Sequence, residues 1–139
     1  MAARVNGFRG SVFVVEDEPL ILLELQQMLS ELGWEVVHFA SDIDSATEIA
    51  RSTEFDLGIL DVNVKGRTSS SVAEILRTKH VPVIVATGYY IENLIENYPG
   101  VIFLQKPYMA TDLENALARA VGHRQKSLIK GGRPSVEPA

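Results

Sequence analysis

Five short apolar runs punctuate the chain, and the stretches between them carry apolar residues at every third or fourth position. The runs are VFVV (12–15), EVVHFA (35–40), LGILD (57–61), PVIVA (82–86) and VIFL (101–104). Most are continuous instead of alternating, the pattern of parallel strands covered on both faces. The first helical stretch spans Pro19 to Leu32, with Ile21, Leu22, Leu25, Met28, Leu29 and Leu32 on one stripe. Pro19 suits a first-turn position and Gly33 a stop. Ser41–Asp42 opens a second helix that turns Ile43, Ala46, Ile49 and Ala50 inward, and a third spans about 70–79 around Val72, Ile75 and Leu76. A fourth is expected between Tyr90 and Pro99, although Asn93 and Asn97 interrupt it. Thr111 and Glu114 make a capping-box pattern for the last, which carries Leu113, Ala116, Leu117, Ala120 and Val121. Strand–helix alternation repeated five times predicts an α/β parallel sheet with helices on both faces and right-handed crossovers.

Size and composition narrow this little further. The 139 residues suit one domain, with an extension over 1–10, a folded unit over 11–122 and a flexible tail over 123–139 that ends in GGRPSVEPA. A net charge of −5 gives no global attraction to nucleic acid, and Arg119, Arg124, Lys126 and Lys130 are sparse, with no interleaved aromatics. The absence of cysteine excludes disulfides and thiolate metal sites. No apolar run is long enough to span a bilayer, and the basic N-terminal stretch is followed by too brief an apolar run for a signal peptide. The expected location is the cytoplasm, with no membrane partner.

The chemistry collects where open α/β sheets place it, at the carboxyl ends of the strands. The first strand runs into Glu16 and Asp17, the third ends at Asp61, the fourth at Thr87–Gly88 and the fifth at Lys106–Pro107. Glu18, just before Pro19, reads as a helix cap. Three carboxylates this close repel one another unless a cation sits among them. Glu16, Asp17 and Asp61 together offer a hard oxygen site suited to Mg²⁺. His38, His80 and His123 share no predicted face and are not read as ligands.

These matches at four separated strand ends, in this order, resemble the receiver domains of two-component response regulators. The resemblance covers about residues 11–121 and implies a flavodoxin-like (βα)5 sandwich of three layers, with strand order 2-1-3-4-5. It implies that Asp61 accepts a phosphoryl group from a sensor histidine kinase and that Mg²⁺ is bound by Glu16 (through water), Asp17, Asp61 and the backbone carbonyl of Asn63. Lys106, preceding a cis proline, would pair with the phosphoryl group, the Thr87 hydroxyl would donate to it, and Gly88 would leave it room. Phe103 falls at the position of the family's switch aromatic, coupled to Thr87. A narrower resemblance lies in VATGYY (85–90), similar to the Phe-Ala-Thr-Gly-hydrophobic-Tyr signature of a subgroup that works with HWE-type kinases; Val85 stands in place of its phenylalanine. The DVNVKGRTS loop (61–69) departs from the usual receiver pattern, and Asn63 and Tyr89 flank the site where they would tune water attack.

Leu20 and Leu23 lie off the buried stripe of the first helix and read as kinase-docking contacts. Tyr89 and Tyr90, in GYYIENLIENY (88–98), read with Tyr98 and the neighbouring aliphatics as a surface for a downstream protein or a homodimer. With few residues after Val121 for an effector unit, output by protein contact, or service as a phosphate sink or relay, is the expected role. A receiver portion of a larger or hybrid kinase protein is the alternative. A Mg²⁺-dependent phosphatase or nuclease would want a second acid beside its nucleophile, whereas this chain has Glu16-Asp17-Glu18 and Asp61-Val62-Asn63.

Overall fold

The computed structural model describes residues 9–132, with side chains described as far as residue 122. Most of the expected extension, residues 133–139 and the side chains of His123, Arg124, Lys126 and Lys130 lie outside the described residues. Five strands form one wholly parallel sheet: β1 (Gly10–Val15), β2 (Trp34–Ala40), β3 (Leu57–Asp61), β4 (Val83–Thr87) and β5 (Ile102–Gln105). Their order is β2-β1-β3-β4-β5, the expected 2-1-3-4-5 arrangement of a flavodoxin-like fold. Among the described residues four α-helices cover it: α1 (Pro19–Glu31), α2 (Ile43–Ser52), α3 (Ser70–Thr78) and α4 (Ala110–Gly132).

Period-2 geometry explains why the inner strands read as unbroken apolar runs. Phe13, Val15, Leu60 and Val85 project to the face covered by Ile43 and Ala46 of α2 and Leu76 of α3. Val12, Val14, Ile59 and Ile84 project to the opposite face, against Leu25 and Leu29 of α1 and Leu113 and Leu117 of α4. Each strand therefore buries both sides. β2, at the sheet edge, alternates instead, and Glu35, Val37 and Phe39 are exposed. Lys79 ties two elements together, its ammonium donating to the carbonyls of Ala50 (2.8 Å) and Thr53 (3.1 Å) at the end of α2, where helix carbonyls lack intrahelical partners.

Three local expectations are corrected. The stretch 90–99 forms two 3₁₀ turns, Ile91–Asn93 and Ile95–Asn97, instead of an α-helix. Asn93 and Asn97 are weak helix formers, and Pro99 prevents continuation. The last helix starts two residues earlier than the Thr111–Glu114 box requires: the Met109 carbonyl accepts from the amides of Asp112 and Leu113, and Asp112 Oδ2 accepts from the Met109 amide at 2.8 Å. Asp112 thus supplies the acid of the cap. Glu18 occupies the N-cap of α1, but its side chain makes no cap hydrogen bond; its own amide donates to Glu16 Oε2 at 3.1 Å. Asp42 caps α2 as expected, accepting from the Ser45 amide at 2.7 Å. The backbone of α4 continues past Val121 to Gly132, into the stretch expected as tail.

Candidate functional site

Because β1, β3, β4 and β5 are parallel, their carboxyl ends lie side by side, and the residues just beyond them meet. Glu16, Asp17 and Asp61 each bring a carboxylate oxygen within 4.8 Å of the other two. Glu16 is 5% exposed. Lys106 reaches in from the far strand, its Nζ 3.5 Å from Asp61 Oδ2 and 3.8 Å from Glu16 Oε1. The Lys106–Pro107 peptide is cis.

Burial dominates the electrostatics. Loss of water raises the Asp61 pKa above the usual carboxylate value; Lys106 and the Val62 amide, which donates to Asp61 Oδ1 at 2.8 Å, pull against that rise. Glu16 is raised as well, first by desolvation and further by the charges of Asp61 and Asp17, while the Glu18 amide and Lys106 act against the rise. Three carboxylates facing one lysine leave an excess of negative charge whenever they are ionised. Three hard oxygen donors at this spacing fit a small divalent cation such as Mg²⁺, which takes one or two carboxylates and keeps several waters.

The loop after Asp61 holds an element that the sequence reading did not resolve. Asn63–Val64 pairs antiparallel with Arg67–Thr68 across a two-residue turn. Lys65 (φ 51°) and Gly66 (φ 83°) are both left-handed, as the favoured hairpin turn demands. A lysine–glycine pair between Val64 and Arg67 was the available signal. The Lys65 amide donates to Asp17 Oδ2 at 2.9 Å, so the turn lies against the acidic pocket. Val64 pairs with Arg67 across the turn, and the Ser69 amide bonds the Val62 carbonyl at 2.9 Å. By antiparallel alternation, the Asn63 carbonyl then faces away from the partner strand, an orientation consistent with a ligand role.

Thr87 is fully buried, and its Oγ1 accepts from the Tyr89 amide at 2.9 Å. A Cβ added to Gly88 meets no atom within 4 Å, so the surrounding protein does not itself require glycine there. Phe103 is half-buried and meets the Tyr98 ring edge-on, with centroids 6.4 Å apart. Tyr98 is not a surface residue: it is 2% exposed, and Leu94 is buried with it. Its hydroxyl lies 2.9 Å from Ser69 Oγ and 3.0 Å from Thr68 Oγ1, and Ser69 Oγ donates to the Asp61 carbonyl. Neither Ser69 nor this contact was anticipated. Leu20 (76%), Leu23 (59%), Tyr89 (52%) and Tyr90 (76%) are exposed, as a partner surface requires.

A parallel sheet that gathers three acids, a buried threonine and a lysine at one end has the architecture of the response-regulator class. The chain belongs to the response regulator receiver domain family, whose model matches residues 12–118. It is similar to the transcriptional regulatory protein PdtaR of Mycobacterium tuberculosis (strain ATCC 25618 / H37Rv), 33% identical over a 125-residue alignment that covers 86% of this chain and 61% of the relative. Among solved structures it resembles SdrG of Sphingomonas melonis Fr1 (TM-score 0.70, 31% identity, 80% of this chain and 95% of that one). It also shares the fold of the response regulator PhyR of Brucella abortus (TM-score 0.77, 24% identity, 91% of this chain and 53% of that one). The chain spans less than two thirds of the length of the curated relatives it matches first. It is a receiver domain of two-component signalling, and none of its described helices is long and apolar enough to cross a membrane.

Proposed function

We propose that Asp61 is a phosphoryl acceptor and that the chain is a receiver whose phosphorylation by a histidine kinase changes its contacts with another protein. The observation that carries this reading is the meeting of Asp61 with Glu16, Asp17 and Lys106 at the carboxyl edge of the sheet. A carboxylate oxygen of Asp61 attacks the phosphorus of a phosphohistidine; a P–O bond forms, the P–N bond breaks, and the imidazole leaves with the electron pair. Lys106, already facing Asp61, pairs with a phosphoryl oxygen. Thr87 turns its hydroxyl from the Tyr89 amide toward another. Mg²⁺ held by Asp17, Asp61 and the Asn63 carbonyl, with Glu16 acting through water, would neutralise charge on the transferring group. The narrower VATGYY resemblance supports an HWE-type kinase as donor, with Leu20 and Leu23 as docking contacts and Tyr89, Tyr90 and Phe103 in the response. The cytoplasm suits such a partner.

Intact-mass spectrometry after incubation with acetyl phosphate and Mg²⁺ tests the acceptor role. One added phosphoryl mass is expected, absent without Mg²⁺ and absent in Asp61→Asn. An adduct that persists in Asp61→Asn, or none on the wild type with either acetyl phosphate or beryllofluoride, would overturn it.

A further inference from the structure

The contact between Tyr98 and the loop after Asp61 has a direction that hydrogen counting fixes. Ser69 has one hydroxyl proton, and it goes to the Asp61 carbonyl. Ser69 Oγ must therefore accept from the Tyr98 hydroxyl, 2.9 Å away. That spends the only proton of Tyr98, so its oxygen accepts from Thr68 Oγ1 at 3.0 Å. Thr68 Oγ1 in turn accepts from the Ser70 amide at 3.2 Å. Four donors thus point one way, from the first residue of α3 to the carbonyl of Asp61, and such chains strengthen each member by polarisation.

The far end of the chain grips one rigid unit. The Asp61 carbonyl and the Val62 amide belong to the same planar peptide. Ser69 holds its oxygen, and Asp61's own Oδ1 holds its N–H at 2.8 Å. A change in the Asp61 carboxylate that releases the Val62 amide frees that plane to rotate, and Ser69 and Tyr98 feel the rotation. At the other side Tyr98 touches Phe103 edge-on, and its amide bonds the Leu94 carbonyl at 3.1 Å, which anchors the 3₁₀ stretch beside Tyr89 and Tyr90.

We propose that Tyr98 is a positioning residue that couples the Asp61 peptide to Phe103 and the 91–97 segment, by a path separate from Thr87. The inference rests on Asp61 being the phosphoryl acceptor. Tyr98→Phe keeps the ring and its contact with Phe103 but removes the hydroxyl.

The test is fluorine NMR on protein labelled with 4-fluorophenylalanine, with the Phe103 resonance assigned by Phe103→Leu and phosphoryl uptake from acetyl phosphate and Mg²⁺ followed by mass. In the wild type the Phe103 resonance moves on phosphorylation. In Tyr98→Phe the phosphoryl mass is still gained and the resonance moves by less than half as much. A purely structural tyrosine would lower thermal stability and leave the response intact, and an equal movement in both proteins overturns the proposal. If the wild type gains no phosphoryl group, the acceptor reading fails, and the coupling is decided without it. Ser69→Ala then shifts the Phe103 resonance when Tyr98 is present and not in the Tyr98→Phe background; equal shifts in both overturn the coupling. Thr68→Val, at the exposed end of the chain, replaces Ser69→Ala if that variant does not fold.

Discussion

Glu16 and Asp61 are held out of water within reach of one ammonium, and the sign of their pKa shifts sets how the protein answers to pH. Burial raises both, so in the folded chain they keep protons that the unfolded chain has already lost. The stability they contribute is fully present below the ordinary carboxylate range near pH ~4 and is lost as pH rises through their raised folded-state values. Once both are ionised, the pair costs stability that a divalent cation bound among the acids would recover. Thermal melts should therefore show Mg²⁺ raising Tm at pH 7.5 by several degrees more than at pH 4.5. In Asp61→Asn that pH-dependent gain should shrink. A Mg²⁺ effect that is equal at both pH values would count against these acids as its origin.

At the scale of elements, what could be read from the chain and what could not divide along a physical line. Strands buried on both faces leave unbroken apolar runs, and helices against them leave a stripe, so β1, β3, β4, α1, α2 and α3 were legible from pattern alone. The site followed, because a parallel sheet dictates which residues its strand ends bring together. The hairpin at 63–68 was not legible, since two-residue strands are too short for any period and rest on one turn. Nor was Tyr98: apolar and exposed aromatics look alike in a polar segment, and only the fold reveals that Ser69 waits opposite. The shifted cap of α4 shows that several acids near a helix start compete, and that backbone geometry chooses among them. The hairpin also yields a prediction. At φ 83° Gly66 has space around it, so Gly66→Ala meets backbone strain alone. It should cost about 1–2 kcal/mol in denaturant unfolding and loosen the Lys65 amide from Asp17, which mass-based labelling would register as slower phosphoryl uptake.

For the molecule as a whole, the exposed leucines of α1 offer a way to separate chemistry from recognition. Leu20 and Leu23 are solvent-facing, so Leu20→Ser with Leu23→Ser should change stability by no more than about 1 kcal/mol, since surface substitutions away from special features stay near ±0.5 kcal/mol each. Uptake from acetyl phosphate should be unchanged, while transfer from any histidine kinase that labels the wild type should slow at least tenfold. Equal transfer rates would move the docking surface elsewhere.

The pocket also has a property that none of its members has alone. Its groups come from residue 16 to residue 106 of the chain, across four strands that must all be in register. A chain caught part-way to the native state owns every one of these side chains and no assembled site. With Asp61 as the proposed acceptor, covalent labelling should be a census of completed molecules: a destabilised variant would be labelled in proportion to the fraction that has finished folding, and unfinished protein would stay silent in the signal.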